Sequence, residues 1–278
     1  MKAQPGARIE PRDPEHRTGD SQVMKWIAGA SPRHLAGIAG GLYLIIIVGG
    51  FFAIGYVPAA LVVPGDAAAT AHNILAHELL YRLGLVAHII VLPCNIPLAV
   101  IFYDLFKVVN RRLSLLVVFF TLVGTAIEGA NLLNQFAPLM LLGGGRYLSV
   151  FTPEQLQALA YMPLDSQAIS YDIQQVFYAC YLLVAGYLVF RSTFLPRVIG
   201  VLLAIGGLCY LTYSFAAFLA PGFAAHLVPY IQLPSGVGEL SLCLWLLVMG
   251  VNVSRWEKQA SRASELNQSD PGRAEARG

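Results

Sequence analysis

The chain has 278 residues, 12% of them charged and 56% hydrophobic, whereas an average soluble domain is about 25% charged. Its mean hydropathy is +0.62. Charge this sparse excludes a disordered chain, a nucleic-acid partner held on a basic surface, and an ordinary cytosolic enzyme; it predicts a protein whose main solvent is the lipid bilayer.

Residues 1–34 combine six basic and four acidic side chains with several prolines and no apolar periodicity. They read as a disordered, solvated tail. Residues 254–278 have the same character. Between the tails, apolar runs cover 35–56, 83–106, 113–136, 170–190, 198–220 and 236–253. Each approaches the roughly 20 residues needed to cross a hydrocarbon core of about 30 Å, and each must be helical to keep its backbone polar groups paired in lipid. The expectation is an all-α integral membrane fold, a six-transmembrane-helix bundle over 35–253. Pro93 and Pro97 predict kinks in the second span. The first run has 22 residues, longer than the 7–15 of a cleaved leader, so it reads as a span.

Lysine and arginine set the orientation. With six spans both tails share one side, which collects 16 of the basic residues, while the other side holds only Arg82 and Arg146. That asymmetry predicts cytoplasmic N- and C-terminal tails in a cell (inner) membrane. Trp26 and Trp256 flank the first and last spans, as interfacial anchors do. In the outward connections, Asp66 is an expected N-cap for a helix over 67–82. Thr152 followed by Pro153, Glu154 and Gln155 predicts a short helix to about residue 162. The apolar connection 221–234 is expected at the outer interface, and Gly143–Gly145 reads as a turn. Cys94, Cys180, Cys209 and Cys243 lie within spans without a CxxC pair and read as packing residues. Gly37 with Gly41, and Gly200 with Ala204, have the spacing that lets helix backbones approach closely; packing inside one bundle is the expected use.

Polar residues inside spans are the informative set, because each costs free energy unless partnered. On a continuous helix Asn73, His77, His88 and Asn95 would share an arc of about 60°. Glu128, Asn131 and Gln135 share a face of the third span. Tyr171, Asp172, Gln174 and Gln175 open the fourth span, and Glu239 stands near the start of the sixth. Their expected depths put ionisable groups of four helices in the outer half of the bundle. The candidate ligand-binding residues are therefore His77, Arg82, His88, Glu128, Asn131, Asp172 and Glu239, around a polar pocket opening outward. The function expected is binding or translocation of a small solute, lipid or proton. Seven acids against two bases on that side favour a small cationic ligand over an anion; a lipidic ligand stays open. The alternatives are a metal-assisted, hydrolase-like membrane enzyme using His88, Glu128, Asp172 and Glu239, and a scaffold or accessory subunit docking through the Gly37–Gly41 face. No HExxH, G-x-S-x-G, P-loop or Rossmann pattern occurs, so no metal set and no cofactor is assigned.

Several blocks carry a resemblance. Gly65-Asp-Ala-Ala-Ala-Thr-Ala-His-Asn-Ile, Leu80-Tyr-Arg-Leu-Gly, Val108-Val-Asn-Arg-Arg-Leu and Pro153-Glu-Gln-Leu-Gln-Ala-Leu occur in order. Leu195-Pro-Arg-Val-Ile-Gly-Val-Leu-Leu and Gly238-Glu-Leu-Ser-Leu-Cys-Leu-Trp-Leu-Leu follow. Together they resemble the bacterial membrane family catalogued as domain of unknown function 4386. The resemblance implies a multi-pass membrane protein, brings no catalytic residues with it, and draws attention to Asp66, Arg82 and Glu239, which stand inside its blocks.

Overall fold

A computed structural model describes residues 31–268. The tail up to residue 30, with Trp26, and residues 269–278 lie outside the described residues. Among those described there are helices and turns but no strand, and five helices are long and apolar enough to cross a membrane.

Helix α1, Pro32–Leu61, is the first of these. Its opening proline sits where a missing N–H costs nothing. The stretch Phe51–Tyr56 within it is π-helical. Leu35, Ala36, Ala39, Gly40 and Tyr43 form its buried stripe, while Ile45, Val48 and Phe51 are exposed, as lipid-facing side chains are. Helix α2, Ala67–Ala76, is capped as expected: the Asp66 carboxylate accepts from the Ala69 N–H at 2.9 Å. Gly65 before it adopts φ +76°, a conformation glycine reaches without strain. Asp66→Ala is expected to cost about 1 kcal/mol, measurable as a fall of a few degrees in the thermal unfolding midpoint of the purified protein.

Helix α3, Glu78–Leu142, runs for 65 residues. A straight helix of that length would measure about 98 Å, three times a hydrocarbon core. Non-helical dihedrals at Asn110 (φ −158°, ψ 109°) divide it into two arms. The Asn110 carboxamide accepts from the Leu113 N–H at 3.0 Å, capping the second arm. The arms run back along each other, because the Tyr81 hydroxyl donates to the Gln135 carbonyl at 2.7 Å. Pro93 and Pro97 do not interrupt the first arm; Asn110 is the position where helical geometry is lost.

Helix α4, Pro153–Arg191, joins the expected short helix and the expected fourth span into one element of 39 residues. Pro163 lies within it, and nothing between residues 162 and 170 stops the helix. The capping box is present, with the Thr152 hydroxyl accepting from the Gln155 N–H and the Gln155 carboxamide accepting from the Thr152 N–H. Helices α5 (Arg197–Leu219) and α6 (Pro221–Leu227) follow. A 3-10 turn, Tyr230–Gln232, leads into α7, Leu233–Val248. Helix α8, Val253–Gln268, replaces the expected disordered tail over residues 254–268. The Asn252 carboxamide caps it at the Arg255 N–H, 3.1 Å, and the Trp256 indole donates to the Leu105 carbonyl at 2.9 Å. Trp256 thus ties α8 to the bundle.

Small residues govern how closely the helices pack, though not at every expected position. Gly186 of α4 faces Gly200 and Ala204 of α5, and a Cβ added at Gly200 would lie 2.6 Å from the Gly186 carbonyl oxygen. In α1 Gly40 packs against the backbone of Leu246 and Leu247, whereas Gly37 and Gly41 face open space. The expected packing role of that pair is therefore corrected: 37 and 41 lie on a different stripe of the helix from 36, 40 and 43.

Most basic residues among those described gather at one end. The Trp256–Leu105 bond, the Asn252 N–H to Phe194 carbonyl bond, and the approach of Arg33 to Gly250 put the Asn110 turn, the α4–α5 connection and the start of α8 together. Arg82 and Arg146 lie away from this basic end.

Candidate functional site

Two groups of polar side chains are buried between the helices. In the first, His88 on the first arm of α3 sits between two residues of the second arm. Its Nδ1 is 2.9 Å from Gln135 Oε1 and its Nε2 is 2.9 Å from Glu128 Oε1. The His88 side chain is 2% exposed and that of Glu128 12%. Periodicity explains the convergence: 128 and 135 are two turns apart on one face, and the antiparallel hairpin brings 88 between them.

This geometry fixes the position of a proton. Gln135 Oε1 can only accept, so Nδ1 carries a hydrogen and donates to it. Nε2 and Glu128 Oε1 then share one proton: a neutral imidazole accepts from a carboxylic acid, or an imidazolium donates to a carboxylate. With no proton between them, a ring lone pair would face a carboxylate oxygen. Around the pair, the Asn131 amide donates to the Gln167 carbonyl of α4 at 3.1 Å, and Asn134 donates to Asn131 at 2.9 Å.

The second group surrounds Glu239 of α7, which is 8% exposed. Its Oε2 accepts from the Tyr178 hydroxyl of α4 at 2.5 Å and the Tyr43 hydroxyl of α1 at 3.3 Å. Among the described residues no Lys, Arg or His lies within ion-pair distance of it. Glu239 is deeper than the expected first turn of its span, because the apolar helix begins earlier, at Leu233. Counted at about 1.5 Å per residue from the basic ends of their helices, Glu239, Tyr43 and Tyr178 lie about 14–20 Å in, and Glu128 about 27 Å from the Asn110 turn.

A cavity of about 20 Å³ adjoins the second group, lined by Tyr43, Asn95, Thr121, Tyr178 and Tyr181 among others. That is room for about one water. Asn95 is two turns from His88, about 10 Å along the first arm, and Thr121 stands two turns from Glu128. Nearby, Gln175 Oε1 accepts from the Ser214 hydroxyl at 3.4 Å, while its buried Nε2 has no hydrogen-bond partner among the described residues. Toward the basic end, aromatic side chains pack on one another. There Phe102 packs edge-on against both Tyr43 and Phe106, and Phe106 packs against Phe194.

Of the candidate residues, the structure brings His88 and Glu128 together, holds Asn131 beside them, and places Glu239 in a separate buried group. Asp172 is half-buried, and the bonds of His88 go to Gln135 and Glu128 instead. Arg82 is exposed and paired with Glu78 at 2.6 Å. His77 is exposed at a break between α2 and α3, where φ −123° and ψ 40° end the helix. The arc that would align His77 with His88 is lost there, and Asn73 turns to the Leu61 carbonyl at 3.2 Å. Tyr43, Tyr178 and Gln175 complete the site. The signal for the last two was the spacing 171, 175, 178 on one helix face; Tyr43 announced itself only as a hydroxyl within an apolar run. No three His, Cys, Asp or Glu side chains among the described residues are grouped as a metal site.

No curated protein and no solved structure matches the chain. The family model described as Domain of unknown function (DUF4386) matches residues 38–250, a stretch that contains every residue of both buried groups. That match covers more than half of the sequence, and the chain belongs to this family.

Proposed function

We propose that this multi-pass membrane protein binds and exchanges protons at two buried stations, the His88–Glu128 pair and Glu239. The observation that carries the reading is His88 held between Gln135 and Glu128, which requires a proton on the bond between imidazole and carboxylate. The size of the adjoining cavity supports it. At about 20 Å³ it admits a water or a proton carrier and no larger solute, and pocket sites for organic ligands run to about 300–1,000 Å³. Ionisable residues inside membranes commonly mark proton paths. In this conformation the aromatic layer of Phe102, Phe106 and Phe194 separates the stations from the basic end, so exchange runs toward the opposite end.

The membrane arrangement belongs to the same proposal. Counting the two antiparallel arms of α3 separately gives six crossings. The basic end then faces the cytoplasm of a bacterial cell, both termini lie on that side, and the stations sit at mid-membrane and in the outer half. Fusing a reporter active only outside the cytoplasm to the C-terminus should give no signal; activity there contradicts the topology.

Histidine-labelled full-length protein in lipid bilayers tests the proton reading by nitrogen NMR, with His88 assigned by its loss in His88→Gln. The ring signals should follow the external pH between about pH 5 and pH 8 and should change when Glu128→Gln removes the partner. Signals insensitive to both pH and that substitution overturn the reading.

A further inference from the structure

A second site lies at the basic end, away from both stations. Helix α8 lies beside the α4–α5 connection, held by the Gln259 carboxamide, which accepts from the Thr193 N–H at 3.0 Å and hydroxyl at 2.9 Å. Arg255 Nη1 donates to the Thr193 carbonyl at 3.4 Å. Between these elements is an open pocket of about 840 Å³ whose lining includes Arg197, Arg255, Lys258 and Arg262. Spacing explains the alignment: 255, 258 and 262 share one face of α8, and Arg197 comes from the first turn of α5. No Asp or Glu is among the lining residues, and among the described residues none of these four cations makes an ion pair. Glu257 and Glu265 belong to α8 but do not line the pocket. Val108, Val109 and Leu195 supply an apolar side.

Four cations without a counter-charge among the described residues attract an anion, and the apolar wall beside them favours one that carries hydrocarbon. We propose that this pocket binds the phosphodiester headgroup of an anionic phospholipid, with Lys258, Arg262 and Arg197 around the phosphate and the glycerol and upper acyl region against Val108, Val109 and Leu195. Basic pockets next to membrane helices are suited to such headgroups. A short amphipathic helix with its cations aligned on one face is the element that settles at an anionic interface. Inorganic phosphate offers the same charge without the hydrocarbon, so the two sources can be separated.

The test is native mass spectrometry of the detergent-solubilised full-length protein, titrated with phosphatidylglycerol, with phosphatidylcholine and with inorganic phosphate. Phosphatidylglycerol should bind at least about tenfold more tightly than phosphatidylcholine, and Lys258→Gln with Arg262→Gln should weaken it about tenfold. Both side chains are exposed and make no ion pair among the described residues. Arg111→Gln with Arg112→Gln, an equal charge loss at the same end but outside the pocket, should leave binding unchanged, and millimolar phosphate should not displace the lipid. Equal binding of the two lipids overturns the proposal, as does equal loss in both double variants, which would mean diffuse attraction. Displacement by phosphate assigns the pocket to a free anion and overturns the lipid.

Discussion

Gly200→Val is expected to destabilise the protein by about 3 kcal/mol, at the upper end for overpacking. The Cβ alone would lie 2.6 Å from the Gly186 carbonyl oxygen and 2.6 Å from the Phe190 backbone nitrogen. These are backbone atoms of a neighbouring helix, so no rotamer change relieves the contact; α4 and α5 must separate. In lipid, close backbone approach is itself a main source of helix association, and the separation also removes the packing around it. Gly186→Val should act alike, since its Cβ would meet the Gly200 carbonyl oxygen at 2.7 Å. Gly37→Ala and Gly41→Ala, where the added atom meets nothing within 4 Å, should leave the unfolding midpoint in place. Thermal unfolding followed by size-exclusion chromatography compares the four. A loss at Gly37 or Gly41 equal to that at Gly200 would contradict the packing described.

The second large effect is expected at Glu239. Glu239→Leu deprives the Tyr43 and Tyr178 hydroxyls of their acceptor, and two orphaned buried donors cost about 2–4 kcal/mol together. Glu239→Gln keeps an acceptor oxygen in place and should unfold close to the wild type. Adding Tyr43→Phe and Tyr178→Phe to Glu239→Leu removes both orphaned donors, so the triple variant should recover much of the loss, because replacing both sides of a buried hydrogen bond by apolar groups is close to neutral. If the triple variant unfolds no later than Glu239→Leu, the hydroxyl bonds are not what makes that carboxylate structurally important.

The helical class and the apolar spans were legible because lipid leaves a long hydrophobic run few alternatives. The two caps were legible too: Asp66 and Thr152 carry local signals with local consequences. What composition could not convey was continuity. Residues 153–191 read as two elements because polar side chains interrupt the apolar run, yet a helix is ended by lost backbone geometry, as at Asn110 and His77, and polarity alone does not impose that. The helix of α8 was missed for a related reason. Its sequence is too polar to bury a full face, and Trp256 and Gln259 hold it to the bundle through bonds to Leu105 and Thr193, partners remote in sequence. Within the site, the single-face alignment of Glu128, Asn131 and Gln135 was readable from spacing, but which of Glu128, Asp172 and Glu239 would meet His88 was not, because that depends on the hairpin made at Asn110. The association of Glu239 with Tyr43, 196 residues away, depends on how α1 and α7 meet at Gly40, which periodicity does not specify.

The central claim is that buried carboxyl groups of this protein take up and release protons. Infrared difference spectroscopy of the full-length protein in lipid, perfused alternately at about pH 5 and about pH 8, reads this directly, because protonated and ionised carboxyl groups absorb separately and burial sets the former apart from surface acids. The account predicts a pH-dependent carboxylic acid band that loses one component in Glu128→Gln, another in Glu239→Gln, and both in the double variant. A spectrum in which neither substitution removes any pH-dependent carboxyl signal, from variants that unfold like the wild type, would contradict it.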